Sequence, residues 1–458
     1  MKSTPTQRIV LLISILASVV SVLDGFIVNV ALPAITKDLH GGLTLQQWVV
    51  DAYLITLGSL MLVAGSLSDL FGRKKVLQIG LMIFLGASLL CAASPSGLWL
   101  ILARAVQGVG GALLVPSSLA LIISAFSGSA QGKAIGSWTA WTGIAVLIGP
   151  LVGGVLIDTF SWQSIFLVNI LPVAVTMWLL SKLRLPEEVR SGAHLDIRGA
   201  IMGAVGLGGT VYACIEQGRY GWSSPLIYVP LVIGILALLA FIRYERRIPQ
   251  PMLPMGLFKA RNFSVGNVAT IFIYAALALS SFLITIFVQQ YAGYSALKAG
   301  MVTMPITLIM FVLSPRFGNL AGKYGPRWFM GVGPIVAGLG LGLLLRTHDP
   351  IAYWTQFFPA LLIFGLGLAT TVAPLTSAIL GCISPKQAGI ASAINNAVSR
   401  IAGLLGVATI GVITGVGSLT LADFHHGMLL VALLLIAGGT VSAIGIQNNP
   451  QPLTEQPK

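Results

Sequence analysis

Three ionisable side chains sit where charge is expensive. Asp24 lies inside the apolar run from Ile9 to Leu32, within LDGFIVNVALP. Asp51 lies in QQWVVDAYL, at the start of a second apolar run, and Arg104 opens RAVQGVGGALLVP in a fourth. A charge at such depth in a bilayer costs about 3 kcal/mol unless it meets water or a counter-charge. Asp24 falls slightly outward of the midpoint of its run, and Asp51 lies near the outer end of its own. The two runs are antiparallel, so both acids are at similar depth in the outer half. If they face one vestibule, desolvation and mutual repulsion favour the protonated form of at least one. Arg104 needs a partner, and a carboxylate is the natural one. The chemistry this set supports is the uptake and release of a proton, with a substrate cation able to take the proton's place beside a carboxylate. A packing role for Asp24 and a solvated interfacial position for Asp51 are the plainer readings of each acid. No nucleophile–base arrangement and no ATPase loop is present, so covalent catalysis is not expected.

These side chains must be held by membrane helices in close contact. At 100° per residue Arg104, Gly108 and Gly111 share one helix face. In GSWTAWTGIAVLIGPLVGG, the residues Gly136, Gly143, Pro150 and Gly154 fall on one face, with Gly149 and Gly153 beside it. Such a smooth stripe permits close helix approach and some bending. Between the second and third apolar runs lies GSLSDLFGRKK, Gly65 to Lys75. Gly65 and Gly72 allow tight backbone geometry, Asp69 is an acid at a helix end, and Arg73, Lys74 and Lys75 form a basic cluster of the kind that marks the cytoplasmic face. The pattern returns as GNLAGKYGPR at Gly318 to Arg327, with Gly65 matching Gly318 and Gly72 matching Gly325. GLGLATTVAP, Gly365 to Pro374, likewise echoes Gly108 to Pro116. Repeats half a chain apart, between like elements, indicate two structurally related halves.

The whole composition agrees. Of 458 residues, 56% are hydrophobic and 9% charged, too apolar for a soluble multidomain protein. Apolar runs of spanning length recur from end to end, and fourteen are expected, from 9–32 to 425–446. The first is too long for a signal-peptide core. The net charge of +13 does not point to nucleic acid. With the N-terminus in the cytoplasm, most of the 26 Lys and Arg fall in cytoplasmic loops and tails, with only Lys37, Arg219, Lys298 and Arg346 outside and Arg104 and Arg400 within helices. That is the positive-inside pattern. It predicts a multi-pass membrane protein with both termini cytoplasmic. Cys91, Cys214 and Cys382 lie in or beside apolar runs and imply neither disulfides nor a metal site. His425 and His426 are adjacent with no third ligand nearby, so no metal is expected, and no cofactor is implied.

The expected division is a six-helix bundle over 1–181, a two-helix insertion flanked by basic linkers over 182–263, a second six-helix bundle over 264–446 and a disordered tail over 447–458. Asn395, Asn396 and Arg400 in the thirteenth run read as groups bonding between helices, with a substrate role as the alternative.

Taken together, these motifs resemble the major facilitator superfamily, over nearly the whole chain. Gly65–Lys75 is similar to that superfamily's loop between helices 2 and 3, and Arg104 with Gln107 and Gly108 to its helix 4 motif. Gly143 to Gly154 resembles the antiporter motif on helix 5 of exporters. LDGFIVNVALP and WVVDAY resemble the fourteen-span drug:proton antiporters, the branch of quaternary-ammonium and multidrug exporters. There are departures: Gly322 replaces the loop acid in the second copy, Gln163 stands where Arg is frequent, and the tenth run has no acid.

The resemblance implies an all-α fold of two pseudo-symmetric six-helix bundles plus two central helices, with a substrate site near the midplane. It implies a proton-coupled exporter of lipophilic, cationic drugs that works by alternating access as a monomer in a bacterial plasma (inner) membrane. Its partners would be a small-molecule substrate, protons and the lipid bilayer. Asp24 is the first choice of proton carrier, with Asp51 next and Arg104 tuning or pairing with Asp24. Gly65, Asp69, Gly72 and Arg73 would gate the cytoplasmic side, and Gly143, Gly149, Pro150, Gly153 and Gly154 would form the antiporter helix. A dedicated metabolite or antibiotic exporter is the nearest alternative, and a non-transporting membrane receptor or scaffold the alternative of another class.

Overall fold

The computed structural model describes residues 4–126, 128–183, 196–248, 251, 253–383, 387–414 and 419–448. Thirteen of its helices are long and apolar enough to cross a bilayer, and Leu43–Phe71, an apolar helix of 29 residues, makes the fourteenth. In chain order the first six are α1 Pro5–Asp38, α2 Leu43–Phe71, α3 Arg73–Ala92, α4 Gly97–Ala125, α5 Gly128–Thr159 and α6 Ser164–Lys182. Two more follow, α7 Ile197–Tyr220 and α8 Pro225–Glu245. The last six are α9 Arg261–Tyr291, α10 Ala296–Tyr324, α11 Arg327–Arg346, α12 Tyr353–Gly381, α13 Ile390–Ile413 and α14 Leu421–Gly445. Most of the linker expected after α6 (184–195) and most of the expected tail (449–458) lie outside the described residues.

Helices run past the apolar windows that announce them. α1 occupies 34 residues because Thr4 and Gln7 form a capping box, each side chain bonding the other's backbone N–H at 3.2 and 3.0 Å. Hydrophobicity marks the part that meets hydrocarbon, whereas the caps decide where the helix ends.

The last six helices repeat the packing of the first six. α4 is central to the first set: α2 and α3 lie along it, while α1 packs on α5, α4 and α6. In the second set α12 takes that position against α10 and α11, while α9 packs on α13, α12 and α14. Gly72 joins α2 to α3 at φ 90°, and Gly325 joins α10 to α11 at φ 88°. Both positions need the left-handed region that glycine enters without steric cost, so the repeated loop motif is a repeated backbone conformation.

Two compact units emerge. The first holds Met1–Ala213, Trp222–Tyr244 and Ser295–Gly300; the second holds Cys214–Gly221, Glu245–Tyr294 and Met301–Lys458. In the first, an apolar core drawn from all of α1 to α6, including Ile13, Tyr53, Phe84, Leu114, Trp138 and Leu180, fills the bundle. α7 and α8 form a tight pair there, with Gly206 and Gly209 against Gly234 and its neighbours. In the second, Phe287, Phe357 and Phe424 stack where the C-terminal end of α9 meets the N-terminal ends of α12 and α14, with Phe287 and Phe424 ring centroids 3.9 Å apart.

Candidate functional site

Five helices of the first unit bring polar side chains to one buried point. α1 supplies Asp24, α3 Ser88, α4 Arg104 and Gln107, and α6 Asn169, all buried, while α2 supplies the Val49 carbonyl and the Tyr53 ring. Asp24 Oδ2 pairs with Arg104 Nη1. Its Oδ1 accepts from Gln107 Nε2 at 2.8 Å and Asn169 Nδ2 at 3.0 Å. Arg104 also donates from Nη1 to Gln107 Oε1 at 2.6 Å and from Nε to the Val49 carbonyl at 3.1 Å. Its guanidinium carbon lies 4.4 Å from the Tyr53 ring centroid, a cation–π distance. Ser88 Oγ accepts from Gln107 and Asn169 and donates to the Phe84 carbonyl. Both oxygens of the Asp24 carboxylate are thus bonded and its charge is compensated, which is the condition for keeping an ion pair in a medium of low dielectric.

Small residues make this convergence possible. A Cβ on Gly108 would collide with Thr56 and the Tyr53 carbonyl, and one on Gly110 would come within 2.7 Å of the Phe84 backbone. A Cβ on Gly111 would press on Ser21 Oγ and Tyr53 Oη at 3.0 Å. The glycines of α4 therefore let α2 and α3 approach until Arg104 and Gln107 reach α1.

Asp51 is separate from this network. Its side chain is fully buried, and among the described residues neither carboxylate oxygen has a hydrogen-bond partner. The structure joins Asp24 to Arg104 and does not bond Asp51 to either. Ser88 and Asn169 were not singled out in the sequence. The only signal for them is a polar residue inside an apolar run, GASLLC and FLVNILP, and that signal does not name the partner.

On α5 the glycine face divides. Gly143 has open space before it, whereas Gly149 and Gly153 lie against Leu23, Ile27 and Val30 of α1. A Cβ on Gly154 would lie 2.5 Å from Leu297 Cα, and one on Gly300 would lie 2.6 Å from the Pro150 carbonyl oxygen. Asp158, one turn further along α5, accepts from the backbone N–H groups of Ala296 and Leu297 at 3.2 and 3.1 Å. Residues 295–300 belong to the same compact unit as α5, so Asp158 caps a helix start within that unit. In the loop motif, Gly65 has no neighbour at its Cβ position, and Lys74 Nζ donates to the Leu183 carbonyl at 2.7 Å. The side chain of Asp69 lies outside what is described.

The Major Facilitator Superfamily model matches residues 14–407. The chain belongs to the Major Facilitator Superfamily. Among curated proteins it is 35% identical over 428 residues to the puromycin resistance protein pur8 of Streptomyces alboniger, covering 91% of this chain and 83% of that one. It is 34% identical over 438 residues to the methylenomycin A resistance protein of Bacillus subtilis, covering 95% and 92%. Among solved structures, the peptide transporter POT shares the fold with a TM-score of 0.68 at 13% identity, covering 96% of this chain and 98% of that one. A member of this superfamily is a membrane transporter for small molecules rather than an enzyme. The fourteen long helices and the repeated packing of the two six-helix sets are the fold of such a transporter.

In the second unit the superfamily repeat carries different chemistry. At the offset that relates Gly108 to Gly365, Arg104 falls on Leu361, so the arginine of the ion pair is not repeated at that position. Instead Asn395 on α13 donates to Asn267 and Thr270 on α9, at 3.2 and 2.9 Å. His425 shares a hydrogen bond with the Thr347 carbonyl, and no cluster of three metal-ligating side chains occurs among the described residues.

Proposed function

We propose that this transporter exports lipophilic cationic drugs from the cytoplasm in exchange for protons, by alternating access and as a monomer, in a bacterial plasma membrane with both termini cytoplasmic. The observation that carries the reading is the contrast between two buried carboxylates of the first unit. Asp24 is bonded at both oxygens and paired with Arg104, while Asp51 has no partner for either oxygen among the described residues. A charge on Asp51 has nothing to compensate it, so a bound proton relieves the site. A proton on Asp24 would instead release Arg104. Two acids poised in such different ways allow protonation to be tied to a change of helix packing. The gating loop around Gly65, Asp69, Gly72 and Arg73, and the α5 face of Gly143, Gly149, Pro150, Gly153 and Gly154, are proposed as the parts that move. The two-helix segment 182–263 between bundles 1–181 and 264–446 is proposed as an insertion.

The names of the relatives support drug export, and they favour one second reading. Puromycin and methylenomycin A are single antibiotics, so a dedicated antibiotic exporter has the same machinery with a narrower substrate. The test is dye and antibiotic uptake into inside-out vesicles, with an imposed proton gradient and with a protonophore. Uptake of several unrelated lipophilic cations that collapses with the gradient is expected. Gradient-driven uptake of one compound alone would establish the second reading, and uptake indifferent to the gradient would overturn proton coupling.

A further inference from the structure

Arg400 is an intramembrane cation that the transport reading has not used. It lies ten residues into the 24-residue span α13, Ile390–Ile413. Its side chain is half-buried, and it forms no ion pair or hydrogen bond among the described residues. The charged neighbour that Arg104 has in Asp24 is missing here. From Arg246 to Ile446 the only carboxylates in the sequence are Asp349 and Asp423. Asp349 follows the end of α11, bonded to Tyr291, and Asp423 sits in the first turn of α14, bonded to Thr420. Both lie at helix ends.

The surroundings fit a site rather than a packing role. Asn395, the neighbour that does bond between helices, uses both contacts on α9. A Cβ on Gly406 would collide with the Ala275 carbonyl and one on Gly403 would lie 3.4 Å from Ala278 Cβ, so α13 and α9 are in close contact without help from Arg400. One turn before it, on the same face, Asn396 spends its amide on the Ser392 carbonyl at 3.0 Å. An uncompensated guanidinium costs about 3 kcal/mol at this depth. Partial exposure inside a span therefore means access to water or to an anionic ligand rather than to lipid tails. A lipid phosphate is out of reach, because ten helical residues place Arg400 about 15 Å from the end of its span.

We propose that Arg400 binds a carboxylate carried by the transported molecule, so that the substrates include lipophilic cations bearing a carboxylate, not cations alone. The inference rests on the transport reading for the word substrate. The guanidinium fork donates two parallel hydrogen bonds to a carboxylate. The test uses rhodamine B, which carries a free carboxylate, and rhodamine B ethyl ester, which keeps the same cation without it. Binding to purified protein in neutral-lipid nanodiscs is measured by fluorescence polarisation. Arg400→Gln is expected to weaken rhodamine B at least tenfold and the ester less than twofold, with Arg400→Lys between. Equal losses for both dyes, an unchanged affinity for rhodamine B, or no binding of rhodamine B by the parent would overturn the proposal. Size-exclusion profiles report folding of each variant, and Arg400→Lys serves if the glutamine variant aggregates. Gradient-driven uptake of the ester by the parent in proteoliposomes separates the two readings. If the ester is pumped but the carboxylate is not discriminated, only the role of Arg400 fails; if neither dye is pumped, the reading of a broad exporter of lipophilic cations fails, and the proposal with it.

Discussion

At the scale of single residues, the first unit stores its polar chemistry in one pair and one isolated acid, and the two should answer mutation differently. Arg104→Ala removes the counter-charge and leaves Asp24 buried with its remaining hydrogen bonds. Breaking a buried pair from one side typically costs 3 to 5 kcal/mol, roughly a third of a domain's stability. Arg104→Ala combined with Asp24→Asn removes both charges and should recover a good part of that loss. Thermal unfolding followed by size-exclusion fluorescence gives the comparison, and a double variant no more stable than Arg104→Ala would show that the pair is not the source of the loss. Asp51→Asn, by contrast, replaces a side chain without hydrogen bonds by one of the same shape. It should change stability by less than about 1 kcal/mol, while gradient-driven transport falls to background. A variant that unfolds readily, or one that transports at the parental rate, would remove Asp51 from the proton-handling pair.

At the scale of elements, close helix approach and two loop glycines set what the bundle tolerates. Gly108→Val would drive two methyl groups into the Thr56 and Tyr53 side of α2. Overpacking of this kind costs typically 1 to 3 kcal/mol, and the loss should appear as a lower unfolding temperature together with lower transport, since the same shift moves Arg104. Gly72→Ala forces a Cβ into φ 90°, a strain of about 1 kcal/mol, and should slow transport with the protein still in the membrane. Asp69→Asn and Arg73→Ala, made in the same loop, should slow it too; parental rates at normal expression in all three would free the loop of a gating role. Much at this scale was legible beforehand. Fourteen spans follow from apolar length, and the recurrence of Gly72 as Gly325 follows from spacing, because a left-handed turn demands glycine wherever it occurs. The partners at the site were harder to read. Asn169 looks like one polar residue in an apolar run, and what it bonds depends on how α6 is rotated against α1 and α3. The isolation of Asp51 was equally hidden, since spacing along α2 gives its depth but not what lies opposite. Arg400 reads from the sequence, with Asn395 and Asn396, as a group bonding between helices or, alternatively, to substrate, and spacing alone does not separate the two.

At the scale of the whole molecule, the question is whether proton movement and substrate movement are obligatorily linked. The ion pair makes a sharp test possible. Asp24→Asn keeps the shape of the side chain and can still accept at its oxygen from Gln107 and Asn169, but it can neither carry a proton across the cycle nor hold Arg104 by charge. If Asp24 couples the two flows, the variant loses the ability to concentrate substrate against its gradient. It has no reason to lose the alternation of access itself, because substrate binding can still shift the same conformational equilibrium. The expected outcome in proteoliposomes is therefore a split: gradient-driven accumulation at background, with downhill exchange of labelled for unlabelled substrate retained within a few fold. Purified protein in weakly buffered solution supplies the second measurement. The parent should release protons when substrate is added, and Asp24→Asn should release fewer. Accumulation at the parental rate would make Asp24 a structural carboxylate, and the coupling would then rest on Asp51. Loss of exchange together with accumulation, in a variant that is folded by size-exclusion, would mean that the pair holds the bundle in a transport-competent packing rather than carrying the proton.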